Sequence, residues 1–412
     1  MNFIFFGRLA KEKGFDLVVQ ALSEISHTTG ELPGNICIFG EGSFRDMLFQ
    51  TFGESPFFED CSQSKKEDIW EKIEALRNNE NSEEKKIYFF WWQSQAMIRD
   101  VLEISHFSLM PSRFLETFGL AALESLSEWV PVIGFKKGGL VPFIPDELAL
   151  SFSINDEENV RTLSHKLLEV SEKYSEDSLY WSTLSHESRR IADSYTEGRW
   201  MRQVQDILPK ETKKILLASD YTTLLGGIET HVQTIARTLR KHGYEVELFG
   251  WDIGKSKWTR LLRLFGLVYS LGNITTAFRM RKKIRDFEPQ AIWLHSISRF
   301  FGPLVIHEVN SSNIFSLITY HDLGLFSPFP SKVESETMIP KTGSLSSFLE
   351  VIHSINPIVY LAAYVKYFQI FFLRKLLKNI QIHVVPSSFL VPYIRHIWGI
   401  PEEKIRVLEH FL

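Results

Sequence analysis

The chain has 412 residues and a formal net charge of −4, with 44% hydrophobic and 23% charged residues. These proportions exclude a disordered or fibrous chain, and the mild acidity supplies no global field for a polynucleotide, so no nucleic-acid partner is expected. At roughly 100–200 residues per domain, the length calls for two domains.

Taken in chain order, short apolar runs at 3–6, 36–39, 87–90, 107–110 and 130–135 alternate with longer helix-like segments. Parallel strands covered by helices on both faces read this way, because neither face needs a polar side. After Ser151 the chain turns polar and helical through 200–208, and Pro209-Lys210-Glu211-Thr212-Lys213 reads as an exposed break. The strand pattern restarts at 214–219 and continues at 245–250, 291–294, 314–320 and 382–386. The fold class predicted is therefore α/β with two Rossmann-like domains, a first at 1–208, a linker at 209–213 and a second at 214–412.

The two cysteines, Cys37 in an apolar run and Cys61 in a polar stretch, are too few for a disulfide scaffold or a zinc site, and fit a reducing cytoplasm. The opening residues 1–8 lack a basic segment followed by a long apolar one, so no signal peptide is expected. The longest apolar tract, 358–373, falls short of the roughly 20 residues that span a bilayer and carries Lys366 and Gln369. Stretches 258–285 and 345–378 mix aromatic, aliphatic and basic residues at helical spacing. They read either as core helices whose basic residues face water, or as a peripheral membrane contact through the second domain. The localisation expected is cytoplasmic, with the inner face of the membrane as its second form.

Three clusters carry chemistry. Pro111-Ser112-Arg113-Phe114-Leu115-Glu116-Thr117-Phe118-Gly119-Leu120 and the residues up to Glu124 follow an apolar strand and lead into a helix. Glu116 and Glu124 are eight positions apart, a rotation of about 800 degrees in a helix, although Gly119 places Glu116 in the loop before it. A helix N-terminus offers unpaired N–H groups and a positive dipole end, suited to a diphosphate. In Gly7-Arg8-Leu9-Ala10-Lys11-Glu12-Lys13-Gly14 a strand ends beside two cations, Arg8 and Lys13, able to neutralise phosphates. Gly226-Gly227, between a strand and a helix, lets backbone approach a ligand. Singly, each is weak: Gly-Gly turns are mostly structural, and paired charges mostly face water.

Together the segments 6–14, 111–124 and Phe39-Gly40-Glu41-Gly42 resemble the C-terminal domain of family-4 retaining GT-B glycosyltransferases. Residues 215–248, with Gly226-Gly227-Ile228-Glu229-Thr230-His231, resemble the start of that family's N-terminal domain. Thr319-Tyr320-His321-Asp322 and Val385-Pro386-Ser387 resemble its later landmarks. The order is swapped, as in a circular permutation, with the donor half first; two halves from neighbouring transferases are the other explanation.

The resemblance implies two domains facing across a cleft and transfer of a sugar, with retention, from a nucleoside-diphosphate sugar to a glycan or lipid-linked hydroxyl acceptor. It implies that Arg8 and Lys13 bind the donor diphosphate, Glu124 the ribose hydroxyls, Glu116 the sugar hydroxyls, and the backbone at Phe118, Gly119 and Leu120 the phosphate or sugar. His321 would face the reacting carbon, and Gly226 and Gly227 would border the phosphates and acceptor entrance. No Asp-x-Asp motif is present, so neither metal nor cofactor is expected. The chain departs from the family at Pro142, at Trp129, and at Glu409-His410-Phe411-Leu412, which replaces an Asn-Gly turn. Those departures leave open a non-catalytic binding or scaffold protein, and the fold alone leaves open another reaction on the same sugar nucleotide.

Overall fold

The computed structural model describes the chain except residues 79–84, 92, 223–226, 253–272, 296, 298–300, 328–332 and 353–356. It divides into one unit of Met1–Thr196 with Leu412 and another of Glu197–Phe411.

The first unit is built on a seven-stranded parallel sheet: β1 (Asn2–Phe6), β2 (Asn35–Phe39), β3 (Phe58–Asp60), β4 (Ile87–Phe89), β5 (Phe107–Met110), β6 (Val132–Phe135) and β7 (Ala149–Leu150). Their order across the sheet is β3-β4-β2-β1-β5-β6-β7. Successive side chains of a strand point to opposite faces, and β1 shows the consequence. Phe3 and Phe5 enter one buried cluster with Phe15, Val18 and Leu22 of the helix Phe15–Thr29. Ile4 enters another, with Ile73 and Val101 from the other face. Both faces are therefore dry, which is why these strands are unbroken apolar runs. The 15–29 helix ends at Gly30, whose φ of 77° is the left-handed conformation that closes helices cheaply with glycine.

The second unit has a six-stranded parallel sheet: β8 (Lys214–Tyr221), β9 (Glu245–Trp251), β10 (Ala291–Leu294), β11 (Phe315–Thr319), β12 (Ile382–Val385) and β13 (Ile405–Val407). The order is β13-β12-β11-β10-β8-β9. Ten strands lie where the apolar runs place them; β3, β7 and β13 are edge strands of two or three residues, too short to show a period.

In each sheet the chain reverses its direction of travel once, between β1 and β5 in the first and between β8 and β10 in the second. Ligands of open parallel sheets bind at the carboxyl ends of the strands flanking such a reversal. In the first unit those ends lead into loops 7–14 and 111–119, and in the second into Thr222 and His295.

The break falls at Thr196/Glu197, earlier than the expected end of a first domain at 208. The helix Glu197–Ile207 places Trp200, Met201 and Val204 in one cluster with Ile215, Leu217 and Trp293. The Trp200 and Trp293 rings stack at 6.1 Å and 10°. A polar helix shows which face it buries, but not against which sheet.

Among the described residues no helix is long and apolar enough to cross a membrane. The helix Pro357–Leu377 holds Lys366 and Gln369 buried, with a bond of 2.7 Å between them. Both cysteines are free and buried.

Trp200→Ala is expected to cost the second unit about 3–5 kcal/mol while leaving the first unit's transition in place. Thermal unfolding with unit-specific proteolysis checks this; a loss confined to the first unit would return the 197–207 helix to it.

Candidate functional site

At the first reversal, two loops are locked backbone to backbone. Gly14 has φ 69°, and a Cβ there would stand 1.9 Å from the Pro111 carbonyl oxygen, so only glycine fits. The Arg113 N–H donates to the Glu12 carbonyl at 2.9 Å. The Arg113 side chain, 1% exposed, pairs with Asp16 at 2.6 Å and also with Asp156. Beneath the second loop lie Gly138 and Gly139; the Gly139 N–H donates to the Glu116 carbonyl at 2.7 Å, and a Cβ on Gly139 would meet the Phe118 nitrogen at 2.4 Å.

This clamp brings Lys13 Nζ within 2.5 Å of Glu116 Oε1, which also accepts from Ser112 Oγ at 3.1 Å. The Lys13 ammonium lies 4.9 Å from the Phe114 ring centre. Arg8 stands apart from that pair: its exposed guanidinium bonds Glu12 at 2.6 Å. Each cation assigned to a diphosphate is thus held by a carboxylate, a partner that a phosphate can replace.

Gly119 has φ 103° and opens the helix Leu120–Ser127. A Cβ on Gly119 would collide with Leu140 at 2.5 Å. Phe118 is buried against Phe143 and Tyr195, so it presents backbone rather than ring, and Leu120 is the first helical residue. Glu116 lies in the loop and Glu124 one turn inside the helix. Desolvation pushes the Glu124 carboxyl up to about 7, against the pull of Arg99.

At the second reversal, His321 follows β11 and His295 follows β10; His295 Nδ1 and His321 Nε2 are 2.8 Å apart. His231, on the helix Gly227–Lys241, and His410, after β13, complete a group of four rings. Burial lowers all four pKa values, that of His231 to about 4, so each ring is neutral at pH 7. A cavity of about 10 Å³, room for one water, adjoins His295, His321 and Asp322. Gly227 is the first residue of its helix, while Gly226 lies outside the described residues.

Residues 2–180 match the family model "Glycosyl transferases group 1", and residues 225–411 match "Glycosyltransferase Family 4". The chain carries two glycosyltransferase domains. They stand in the reverse of the usual order of these models, and the two parallel α/β units are those that the GT-B fold class requires. Among curated proteins none matches in sequence.

Among solved structures, the pneumococcal O-GlcNAc transferase GtfA in complex with UDP and GlcNAc is 21% identical over 50% of this chain and 35% of its own, with a TM-score of 0.35. The catalytic domain of cholesterol-alpha-glucosyltransferase from Helicobacter pylori is 14% identical over 48% of this chain and 99% of its own, at 0.31. The C-terminal domain of the group 1 family protein LpcC from Francisella tularensis is 17% identical over 47% and 84%, at 0.32. The chain spans about a third of the length of the pneumococcal protein.

In the group 1 domain the structure brings Lys13, Glu116 and the Gly119 helix start to one reversal point. The motifs did not mark Arg113, which joins these loops, or Gly138 and Gly139, which support them. In the family 4 domain His231, His295 and His410 join His321 from positions so scattered that spacing gives no signal.

Glu124→Gln tests the desolvated carboxyl. With its folded pKa raised from 4.5 to about 7, Glu124 contributes stability that is complete below pH 4.5 and lost as pH rises through 7. The glutamine variant, uncharged throughout, is expected to match wild type near pH 4.5 and to melt several degrees higher at pH 8. A difference independent of pH would contradict the assignment.

Proposed function

We propose that the chain moves a sugar, with retention, from a nucleoside-diphosphate sugar to a hydroxyl acceptor, a glycan or lipid-linked. The observation that carries this is the meeting of Lys13 and Glu116 beside the Gly119 helix start at the sheet's reversal point. As the glycosidic bond breaks, negative charge builds on the departing diphosphate. Lys13 exchanges its carboxylate partner for that phosphate, and the first N–H groups of the 120–127 helix add fixed dipoles. Such preorganised groups bind the transition state more strongly than the ground state.

Glu124 suits ribose hydroxyls: its desolvated carboxyl is an acceptor whose charge two hydroxyl donors would stabilise. Glu116, released from Lys13, is free to accept from the sugar, and Arg8, exposed, to turn from Glu12 to phosphate. His321 is the second unit's candidate for the reaction. Retention and the permuted order rest on the motif resemblance, and no divalent metal is assigned to the diphosphate because side-chain cations fill that role.

The test is a thermal-shift panel of nucleoside diphosphates and sugar nucleotides, followed by turnover. One nucleotide class is expected to stabilise the protein, by about 2.7 kcal/mol at 100 times its dissociation constant. Lys13→Met is expected to lower kcat/KM about 100- to 1,000-fold, with activity surviving a chelator. Binding without turnover would favour the scaffold reading. No binding by any nucleotide would favour halves from two different transferases.

A peripheral membrane contact by a cytoplasmic protein is part of the proposal. On the helix Pro357–Leu377, Tyr360, Leu361, Tyr364, Phe368, Phe371 and Phe372 are exposed, and Arg374 and Lys375 stand in its last turn. The opposite side, Ala363, Ile370, Leu373 and Leu377, is buried. Phe278, from the other stretch marked in the sequence, is exposed too, while 258–272 lies outside the described residues. An aromatic stripe ending in basic residues suits the headgroup region of an anionic bilayer. Replacing Phe368, Phe371 and Phe372 by Ser is expected to weaken cosedimentation with anionic vesicles at least about tenfold; unchanged sedimentation would remove the membrane from the proposal.

A further inference from the structure

Lys137 follows β6 by one residue, and its N–H donates to the Phe135 carbonyl at 2.9 Å, so the end of the strand fixes its backbone. Its side chain is half-buried. The ammonium donates to the Arg113 carbonyl at 2.5 Å, and it lies 3.3 Å from the centre of the Phe152 ring and 5.5 Å from that of Phe135. An ordinary surface lysine keeps its charged head in water. This one commits its head to a carbonyl, in a bond about twice as strong as a neutral one, and to an aromatic face.

The carbonyl it holds opens a four-residue arc, 113–116. At Arg113 the arc is fixed to loop 7–14 by the N–H bond to the Glu12 carbonyl and by the ion pair with Asp16, and to the 136–140 segment by Lys137. At Glu116 the carbonyl accepts from the Gly139 N–H at 2.7 Å, and the carboxylate is held by Lys13 and Ser112. Lys137 and Gly139, two positions apart, thus hold both ends of the arc. Gly138 between them brings the backbones close, since a Cβ there would stand 2.8 Å from the Glu116 carbonyl oxygen. In the proposed reaction Lys13 leaves Glu116 for a phosphate, and the side-chain tether is lost as Glu116 takes hold of the sugar. The arc is then placed by the bonds to its backbone, of which the bond from Lys137 is charge-assisted.

We propose that Lys137 is a positioning residue for sugar transfer: by holding the Arg113 carbonyl, it sets where the Glu116 carboxylate stands once the donor is bound. Lys137 touches no reacting atom in this role. Its kinetic consequence rests on the transferase reading, whereas the tether on residues 113–116 does not. A group misplaced by about 1 Å costs about 100-fold in rate, and the loss falls on kcat where the contact strengthens in the transition state. The neighbouring Lys136 pairs with the exposed Asp146 at 2.6 Å, away from the arc, and serves as the control.

The experiment compares Lys137→Met, Lys137→Arg and Lys136→Met in the full-length protein by hydrogen exchange, and by steady-state kinetics with the sugar nucleotide that the thermal-shift panel selects. Methionine keeps an apolar stem on Phe152 and removes the donor and the charge. In Lys137→Met the Arg113 and Phe114 amides, both bonded to the Glu12 carbonyl, are expected to exchange at least about tenfold faster, while β1 and β6 keep their protection. In the same variant kcat falls about 100-fold and the donor KM changes far less. Lys137→Arg, which keeps a donating cation, recovers most of both, and Lys136→Met behaves as wild type. Unchanged exchange at 113–118 in Lys137→Met overturns the proposal. So does a loss of kcat that accompanies loosening of the whole first unit and that Lys137→Arg does not recover. A wild type that turns over no sugar nucleotide removes the transferase reading; faster exchange confined to 113–118 in Lys137→Met then still supports the tether.

Discussion

The Arg113 guanidinium, almost entirely out of water, meets the carboxylates of Asp16 and Asp156, and the geometry of the first unit's candidate site depends on it. Asp16 belongs to the helix that follows β1, Asp156 begins the helix Asp156–Glu176, and Arg113 itself stands in the loop after β5. Three elements are thus fixed by one planar cation that can serve two carboxylates at once. Such a group is expensive to bury and more expensive to leave half paired, about 3–5 kcal/mol when one partner is lost. Its contribution is therefore positional: it presses loop 7–14 against loop 111–119, where the Gly14 and Pro111 backbones touch and Lys13 reaches Glu116.

The two units place different chemistry at equivalent points of their sheets. The first reversal gathers cations, glycines and a helix start, all suited to negative charge. The second gathers three buried imidazoles and the half-buried His321, with no cation among them in the described residues. Rings kept neutral by loss of water serve as hydrogen-bond partners rather than as counter-charges to phosphate, so in the proposed reaction the diphosphate is given to the first unit.

Much of the fold is legible in the chain because strands dry on both faces must be apolar at every position. Phe3, Ile4 and Phe5 announce β1 even though alternate side chains enter different clusters. The same logic fails for β3 and β7, whose few residues carry no period, and for the 197–207 helix, whose amphipathic pattern is equally compatible with either sheet. The candidate site is legible where its residues lie along one stretch, as Glu116, Gly119 and Glu124 do around a helix start.

By itself the sequence determined two parallel α/β units, the strands that form their centres, the loops that carry Arg8, Lys13 and Glu116 and the helix that carries Glu124, because these follow from local apolar runs and from glycines at strand ends. Only the tertiary structure decided that Lys13 pairs with Glu116 while Arg8 turns to Glu12, that Trp200 packs on Trp293, and that His231, His295, His321 and His410 share one cluster. Those are contacts between positions distant in the chain. They depend on which strands become neighbours and on which charges lose water together, and neither quantity is written in any one segment.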